Sequence, residues 1–365
     1  MKISTAIVKK QGALLNIENA QLDDPKPNEV LVKIVSSGVC HTDAAGRDMG
    51  MTPYPLALGH EGAGIIEKIG SSVTTVRPGD HVVLSFSYCG HCENCLSGHP
   101  ANCVHLNELN FGGHNFDGSH RIHDESGNDI STFFGQSSFS SYSVVDEHGV
   151  TKVSKDVDIN VLGPLGCGFQ TGAGTVLNYL KPEFGSSIVI FGTGAVGLSA
   201  IMAAKIIGMD NIIAVDVYDN RLKIAKELGA TRVINSTIEN PNEIIQKVTR
   251  FGVDYSIDTT GVPQVIKTAV TALKPSGVCA LLGIAGDVTF NIQQDIMGES
   301  KKVVGVIEGD AIPQLFIPKL VNYYQKGMFP FDKLIRFYNF KSINQAFEDS
   351  ANGSVIKPVV KILDD

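Results

Sequence analysis

The pattern of apolar and polar positions changes near residue 169. Before it, short apolar runs are separated by glycine and proline, which is typical of small β-strands, and the clearest runs cover residues 30–35, 65–69 and 81–84. After it, apolar runs alternate with longer helical periodicities, which is typical of a parallel sheet with crossover helices. The sequence therefore predicts a mainly-β part followed by a separate α/β part.

Six strands are predicted in the α/β part, which suits a complete doubly wound sheet. They cover residues 188–191, 212–217, 232–234, 254–257, 278–282 and 303–306. An amphipathic stretch over 320–326 and a strand-like run over 357–363 follow. We interpret this tail as returning to the first part. The last strand of the six, 303–306, is expected to form an unpaired edge that could pair with a second copy of the chain.

Composition limits the class of protein. The chain has 365 residues, of which 43% are hydrophobic and 19% charged, so two sizeable cores are expected. Its net charge is −8 without a basic block, and nucleic acid is not an expected partner. The apolar stretch 188–208 contains three glycines, so it predicts a strand, a turn and a helix in place of a membrane span. The start lacks a signal-like apolar run, so we expect a cytoplasmic protein.

Four of the seven cysteines fall close together. They are Cys89, Cys92, Cys95 and Cys103. The spacing C-x2-C-x2-C-x7-C lets one loop point four sulfurs at one centre, and in a reducing compartment this favours a tetrahedral zinc ion. An iron–sulfur cluster or unliganded buried cysteines are the alternatives. Such a zinc site has no open position, so it would stabilise a lobe of about residues 86–105 without taking part in catalysis.

A second candidate metal set comes from three distant segments. Cys40, His60 and Cys167 each lie close to glycine, and all ten histidines lie at or before His148. Two sulfurs and one imidazole form the kind of zinc site that leaves a fourth position for water or substrate. Taken singly, each residue could equally be a buried cysteine or a hydrogen-bonded histidine. The dinucleotide motif that follows favours the metal interpretation.

A dinucleotide-binding motif follows the first strand of the α/β part. It consists of Gly192, Thr193, Gly194, Ala195, Val196 and Gly197. Gly192 permits a tight turn, Gly194 lets the backbone approach a pyrophosphate, and Gly197 allows close packing of helix and strand. The next strand reaches Asp216, which can bind a ribose diol and would repel a 2′-phosphate. NAD is therefore favoured, although the nearby Arg221 keeps NADP open.

Together these residues resemble the zinc-dependent alcohol dehydrogenases of the medium-chain dehydrogenase/reductase family over nearly the whole chain. The resemblance implies a GroES-like, mainly-β catalytic domain from residues 1–168 and 310–365, and a Rossmann domain with a doubly wound parallel sheet from 169–309. It implies two zinc ions per chain, bound by the two ligand sets above. It also implies a homo-oligomer, either a dimer or a tetramer.

The same resemblance assigns further roles near the catalytic zinc. Glu61 matches an acid that can approach the metal, and Asp43 matches the carboxylate that orients the zinc-binding imidazole. Thr42 matches the hydroxyl that carries the alcohol proton away. Cofactor roles follow in the same way for five residues. Thr171, Val196 and Ile284 would surround nicotinamide, Arg221 would lie near the adenosine ribose, and Lys357 would meet the pyrophosphate.

Two positions depart from the common family pattern. Ala45 stands where many members carry a relay histidine, and His41 stands where many carry an arginine against the pyrophosphate. We hypothesise that His41 contacts phosphate and assists proton exit. In these features the chain looks most like the aryl- and allylic-alcohol branch, which includes benzyl-alcohol and geraniol dehydrogenases. Phe133 and Phe134 would line the substrate channel, with simple core packing as the alternative.

The expected function is reversible, NAD-dependent oxidation of primary aromatic or allylic alcohols to aldehydes. The resemblance implies that zinc makes the alcohol more acidic and that hydride passes to nicotinamide. A dehydrogenase of thiol adducts from the same family is the near alternative. A nucleotide-binding relative without activity and a zinc-free quinone reductase are also considered, and two complete cysteine sets argue against both.

Overall fold

The computed structural model describes residues 1–362 and divides into two compact units. The first unit contains Met1–Cys167, Ala311–Lys326 and the chain from Phe331 onward. The second contains Gly168–Asp310 and Gly327–Pro330. The chain thus leaves the first unit after Cys167 and returns to it at Ala311, so that unit is assembled from both ends of the sequence.

The strands are distributed over three sheets. In chain order they are β1 (Lys2–Val8), β2 (Asn16–Leu22), β3 (Glu29–Gly38), β4 (Leu56–Ala57), β5 (Gly62–Ile69), β6 (His81–Leu84), β7 (Ile122–His123), β8 (Asp129–Ile130), β9 (Tyr142–Asp146), β10 (Val150–Lys152), β11 (Ser187–Phe191), β12 (Asn211–Asp216), β13 (Arg232–Asn235), β14 (Val253–Asp258), β15 (Leu273–Leu281), β16 (Lys302–Gly305), β17 (Ile335–Asn339) and β18 (Lys357–Lys361).

The helices are mostly short. The α-helices are α1 (His41–Asp48), α2 (Glu93–Leu96), α3 (Leu106–Phe111), α4 (Gly168–Gly174), α5 (Ala195–Ile207), α6 (Asp219–Leu228), α7 (Pro241–Thr249), α8 (Pro263–Thr271), α9 (Pro313–Gln325) and α10 (Ile343–Ala351). Single turns of 3₁₀-helix cover Pro100–Asn102, Glu147–Gly149, Ile159–Val161, Gly163–Gly166, Met297–Glu299, Glu308–Asp310, Phe331–Leu334 and Phe340–Ser342, and π-helical turns cover Thr175–Leu180 and Ile292–Ile296. None of the described helices is both long and apolar enough to cross a membrane.

Two sheets build the first unit. One has the order β4-β1-β2-β7-β8, and the other has the order β10-β6-β5-β3-β18-β17 with β9 also paired to β3. Strand β3 is buried on both faces, because Val30, Val32 and Ile34 contact the larger apolar cluster while Leu31 contacts a smaller one. Alternation of side chains along a strand produces this division, and it explains why the sequence of β3 is almost continuously apolar.

The C-terminal tail joins the larger sheet of the first unit. Strand β18 pairs antiparallel with β3, so that Val359 lies opposite Gly38 and Val360 lies opposite Ser37. This pairing holds the start of β18 beside the loop that follows β3, where Val39 donates a backbone hydrogen bond to Pro358. The predicted run 357–363 is a strand through Lys361, and its last residue, 363, lies outside the described residues.

The second unit contains a six-stranded parallel sheet in the order β13-β12-β11-β14-β15-β16. This order reverses direction between β11 and β14, as in the doubly wound sheet that the sequence predicts. All six predicted strands are present. Strand β16 lies at one edge, as expected. Strand β15 begins at Leu273, earlier than predicted. Leu273 is buried, but the exposed Pro275 and Ser276 separate it from the apolar run that the sequence shows.

Helix α9 is longer than its sequence pattern indicates. The amphipathic stretch predicts residues 320–326, whereas the helix begins at Pro313 and continues through Pro318. Proline suits the first turn of a helix because that N–H has no partner there. Pro318 removes one internal hydrogen bond, yet its neighbours Phe316, Ile317 and Leu320 are buried. Tertiary packing therefore holds the helix where local sequence predicts a break.

Candidate metal centres and cofactor site

The four clustered cysteines meet at one point of the first unit. The sulfurs of Cys89, Cys92, Cys95 and Cys103 all lie within 4.8 Å of one another. The Cys92–Cys95, Cys92–Cys103 and Cys89–Cys95 distances are 3.5, 3.9 and 4.0 Å. Four sulfurs that bind one zinc ion tetrahedrally at about 2.3 Å stand about 3.8 Å apart. The cluster therefore fits a tetrahedral metal ion held entirely by protein.

Local backbone geometry favours the thiolate form of Cys92, whereas burial raises the pKa of Cys95 and of Cys103 above its usual range. Cys92 precedes α2 and Cys95 lies within it, while the N–H groups of Cys89 and Cys92 donate to the sulfurs of Cys103 and Cys89. Hydrogen bonds from the backbone N–H groups of Cys95 and Val104 lower the pKa of Cys92 to about 6. Donors that favour the charged sulfur also favour metal binding, since the thiolate is the form that ligates.

The second ligand set also converges within the first unit. Cys40 lies just before α1, His60 lies just before β5, and Cys167 follows the turn Gly163–Gly166. Their ligand atoms lie within 4.8 Å of one another, together with a carboxylate oxygen of Glu61. His60 Nε2 is buried and has no hydrogen-bond partner among residues 1–362. A buried nitrogen left without a partner is costly, and a metal ion bound there would satisfy it.

Asp43 aligns two members of this set. Its Oδ1 accepts hydrogen bonds from His60 Nδ1 at 2.9 Å and from the Gly59 N–H at 3.1 Å, and its Oδ2 accepts the Cys40 N–H at 3.0 Å. The carboxylate is completely buried. With Nδ1 fixed in this way, Nε2 of His60 is the nitrogen that faces the other ligands. Asp43 therefore orients the imidazole and anchors the first turn of α1.

Electrostatics favour charged sulfur at this site. A hydrogen bond with Cys167 and the positive charge of Lys357 lower the pKa of Cys40 well below its usual range. Burial raises the pKa of Glu61 to about 7, although Lys357 opposes the rise. Burial also lowers the pKa of His60, but the charge and hydrogen bond of Asp43 outweigh it and leave that pKa raised. The group thus combines two sulfurs, an imidazole and a nearby carboxylate.

The glycine-rich motif forms the start of α5 in the second unit. Gly192 has φ = +89°, which favours glycine, and its turn leads directly into the helix. A side chain at Gly194 would meet nothing within 4 Å, so the backbone there is open to a ligand. An open backbone at a helix N-terminus suits a pyrophosphate. Thr193 and Gly197 are buried, whereas Ala195 and Val196 are half-buried.

Asp216 ends β12 beside this motif and is held by four donors. Its Oδ2 accepts from the Thr193 N–H and hydroxyl at 2.6 Å, and its Oδ1 accepts from the N–H groups of Val217 and Tyr218 at 2.7 and 3.1 Å. The carboxylate borders a cavity of about 550 Å³ that Gly192, Gly194, Tyr218 and Arg221 also line. The guanidinium of Arg221 lies over the Tyr218 ring at 5.1 Å. This cavity fits an adenosine group.

Comparison with known proteins agrees with this geometry. The family model "Alcohol dehydrogenase GroES-like domain" matches residues 26–155, and the model "Zinc-binding dehydrogenase" matches residues 195–322. A geraniol dehydrogenase from Castellaniella defragrans is 42% identical over 97% of this chain and 96% of its own length. The chain belongs to the zinc-dependent alcohol dehydrogenases of the medium-chain dehydrogenase/reductase family. The predicted family and fold class are therefore confirmed.

Two further proteins are similar to this alcohol dehydrogenase. The crystal structure of benzyl alcohol dehydrogenase from Acinetobacter calcoaceticus is 45% identical, covers 100% of both chains and gives a TM-score of 0.95. An S-(hydroxymethyl)glutathione dehydrogenase from Saccharomyces cerevisiae is 35% identical over 99% of this chain and 96% of its own length. The likeness therefore extends over both units.

Lys357 of this alcohol dehydrogenase, which the sequence resemblance places against the cofactor pyrophosphate, is buried in the first unit. Its side chain is only 3% exposed. Its ammonium donates to both carboxylate oxygens of Glu61 at 2.8 and 2.9 Å and to the carbonyl of Val39 at 3.3 Å. Desolvation favours pairing with a buried carboxylate, so Lys357 belongs to the surroundings of the Cys40 site.

The predicted proton-transfer residues lie at the start of α1. The hydroxyl oxygen of Thr42 is 3.7 Å from the Cys40 sulfur and is half-buried, whereas His41 is exposed. Ala45 is 4% exposed and carries no group that could transfer a proton. Thr42 is thus beside the candidate metal ligands, and His41 borders solvent on the same turn.

Phe133 and Phe134 both contact the imidazole of His60. The Phe134 ring is stacked on it with centroids 4.5 Å apart, and the Phe133 ring meets it edge-on at 5.6 Å. Both phenylalanines belong to the larger apolar cluster of the first unit. Phe133 is 0% exposed and Phe134 is 6% exposed. They pack in the core and at the same time form an aromatic wall against the candidate metal ligand.

The structure also shows a buried acidic side chain, Glu308, to which the sequence assigns no role. Glu308 lies just beyond β16, and its carboxylate contacts Thr171 in the second unit. Ile284, which is also expected near nicotinamide, is 51% exposed. The one available signal for Glu308 is an acidic residue directly after a predicted strand of the doubly wound sheet.

Proposed function

We propose that this alcohol dehydrogenase oxidises primary aromatic or allylic alcohols to aldehydes, reversibly, with NAD as the hydride acceptor. The observation that carries the proposal is the convergence of Cys40, His60 and Cys167, with His60 Nε2 buried and unpartnered among the described residues. A site with three protein ligands leaves one position for substrate. The aromatic rings on His60, and the names of the geraniol and benzyl alcohol dehydrogenases to which the chain is similar, support the substrate class.

Two zinc ions per chain are part of the proposal. The four-cysteine cluster would hold one ion with no position left open, so its role is to stabilise its lobe. Cys40, His60 and Cys167 would hold the other, with Glu61 as an alternate ligand. When bound there, zinc supplies a positive charge that makes an alcohol hydroxyl more acidic. Asp43 keeps the His60 nitrogen aimed at this position.

The chain's own residues offer a route for the released proton. Thr42 lies beside Cys40, and its hydroxyl can accept a proton and pass another on. His41 lies on the same helical turn and is exposed, so it can take the proton next and deliver it to water. Because Ala45 cannot continue a longer relay, this path is shorter than the one common in the family.

Asp216 supports NAD over NADP. Its carboxylate is fixed at the end of β12 and borders the cavity next to Gly194. A fixed carboxylate can accept hydrogen bonds from both hydroxyls of an adenosine ribose, and it repels a 2′-phosphate. Arg221 points its guanidinium over Tyr218, and its Nε is buried without a hydrogen-bond partner among residues 1–362. The Arg221–Tyr218 pair thus supplies a flat wall suited to adenosine.

Oxidation of thiol adducts is the second candidate, favoured by the 35% identity to an S-(hydroxymethyl)glutathione dehydrogenase. The test compares kcat/KM for benzyl alcohol, geraniol and ethanol with that for formaldehyde plus glutathione, using zinc-loaded protein and NAD. The proposal predicts that benzyl alcohol and geraniol exceed ethanol by at least about 10-fold, the value of one well-placed apolar contact. Activity found only with the mixture of formaldehyde and glutathione would contradict this proposal and support the second candidate.

We further propose that the protein is a cytoplasmic homo-oligomer, a dimer or a tetramer. Strand β16 supports this, because it forms an edge of the parallel sheet, and an edge strand is a ready template for pairing with a second copy. Sedimentation of the zinc-loaded protein tests it. A single species with the mass of one chain at all concentrations would exclude it.

A further inference from the structure

A left-handed turn follows the edge strand β16 of the second unit. Glu308, Gly309 and Asp310 have φ values of 49°, 66° and 47°. Residues with side chains seldom adopt this conformation, and it persists only where the surroundings fix it. The turn is held by Asn178, whose amide donates to the Gly309 carbonyl at 3.2 Å. Its effect is to turn the Glu308 side chain into the unit.

The Glu308 carboxylate is 9% exposed and is fixed by helix α4. Its Oε2 accepts hydrogen bonds from the Gln170 amide at 3.0 Å and from the Thr171 hydroxyl at 3.4 Å. Helix α4 in turn packs tightly on the start of α5, since a Cβ added at Gly172 would lie 1.9 Å from the Val196 carbonyl. The carboxylate is thereby tied, through α4, to the helix that begins at the glycine-rich motif.

The position of Glu308 in the sheet determines which end of a dinucleotide it would face. A dinucleotide lies across the carboxyl ends of the strands of a doubly wound sheet. Asp216 marks the adenosine half, at the carboxyl end of β12. The nicotinamide half therefore lies at the carboxyl ends of β14, β15 and β16, and Glu308 follows the last of these.

We propose that Glu308 strengthens the binding of oxidised nicotinamide relative to that of reduced nicotinamide. The oxidised ring carries a positive charge and the reduced ring is neutral, so a fixed carboxylate in a partly buried position stabilises only the oxidised form. The inference rests on the proposed use of NAD. Glu308 thus favours one oxidation state of the cofactor, whereas Asp216 disfavours a cofactor with a 2′-phosphate.

The test measures dissociation constants of NAD⁺, NADH and ADP-ribose by calorimetry on the zinc-loaded full chain. In Glu308→Gln, NAD⁺ should bind at least about 10-fold more weakly, because one charge acting through an effective dielectric constant of about 20 has at least that effect at separations up to about 12 Å. NADH and ADP-ribose should change less than about 2-fold, because neither carries the positive ring. ADP-ribose, which lacks nicotinamide, reports that the variant is folded.

Two variants complete the design. Asp310→Asn removes a carboxylate from the same turn and should leave the NAD⁺-to-NADH ratio unchanged. Glu308→Gly removes the charge and relieves the left-handed strain, so it serves if Glu308→Gln does not fold. An unchanged ratio in the Glu308 variants, or an equal change in Asp310→Asn, would overturn this inference alone. Failure of the wild type to bind NAD⁺ would overturn the proposed function and this inference with it.

Discussion

The ammonium of Lys357 lies 2.8 and 2.9 Å from the two carboxylate oxygens of Glu61, and both side chains are buried in the first unit. Burial raises the pKa of Glu61 to about 7, against the effect of Lys357, and it lowers that of Lys357, but the charge of Glu61 prevails and the lysine pKa is raised. The lysine charge also favours the thiolate of Cys40. Lys357 therefore places one positive charge beside both Glu61 and the candidate zinc ligand Cys40.

Replacing Lys357 with methionine should destabilise the protein by about 3–5 kcal/mol, because it removes the ammonium that donates to both oxygens of the buried Glu61 carboxylate. Denaturant unfolding of the zinc-loaded protein measures the free energy of unfolding. In Lys357→Met/Glu61→Gln most of that loss should be recovered. Lys361→Met, on the same strand but half-buried, is the matched control and should cost less than about 1 kcal/mol. Equal losses at Lys357 and Lys361 would contradict a paired role.

The four-cysteine cluster should be needed for stability and not for chemistry. Cys103→Ser removes one of four sulfurs, so it should lose one zinc ion per chain and several kcal/mol of stability, as structural zinc sites do. Metal analysis and thermal unfolding check both changes. Cys279→Ser alters a completely buried cysteine of the second unit and should keep the full zinc content. Full zinc content in Cys103→Ser would show that the cluster holds no metal.

Asp216 should set the preference between NAD and NADP. Asp216→Asn removes the charge that repels a 2′-phosphate, so the kcat/KM ratio of NAD to NADP should fall at least about 10-fold. Thr193→Val is the control, since it removes one hydrogen bond to Asp216 and keeps the charge. Steady-state rates with both cofactors measure the ratio. The same ratio in Asp216→Asn as in the wild type would refute this role.

His148 should make stability depend on pH. Its Nδ1 donates to Asp146 at 2.7 Å, and this hydrogen bond raises the pKa of His148 although burial opposes the rise. A raised histidine pKa stabilises the fold fully below the unfolded value of about 6.5, and the contribution is lost as pH rises through the folded value.

Thermal unfolding of the wild type and of His148→Gln tests this dependence. The difference in stability should be larger near about pH 6 than near about pH 9. It should stay below about 1 kcal/mol, because the pair is partly exposed. His123→Gln offers a comparison at a second histidine whose Nδ1 hydrogen-bonds an aspartate. A His148 difference that grows with pH would contradict the expected sign.

Local patterns suffice for much of the fold. The parallel sheet and the turn at Gly192 are predicted because strand, glycine turn and helix follow one another along the chain. The C-x2-C-x2-C spacing similarly predicts that Cys89, Cys92 and Cys95 meet. The ends of strands and helices are less predictable. The start of β15 and the first turns of α9 depend on tertiary packing, which polar residues and proline in these segments hide from the sequence pattern.

Contacts between residues that are far apart in the sequence could not be predicted from sequence patterns. Lys357 and Glu61 are 296 positions apart, and the pairing of β3 with both β18 and β5 brings them together. Glu308 and Thr171 are 137 positions apart. Neither pair has a local pattern, so the sequence resemblance assigns Lys357 to a phosphate and gives Glu308 no role. Isolated charged residues were the least predictable part of the candidate site.

The most direct test of the account follows one hydrogen atom. Zinc-loaded protein is incubated with NAD⁺ and benzyl alcohol that carries two deuterium atoms on the alcohol carbon, and the reduced cofactor is analysed by mass spectrometry. Hydride transfer from that carbon predicts one deuterium in each reduced cofactor, and Cys167→Ser, which lacks a proposed zinc ligand, should form none. Reduced cofactor without deuterium, or equal labelling by Cys167→Ser, would contradict a zinc-dependent hydride transfer from the alcohol to NAD.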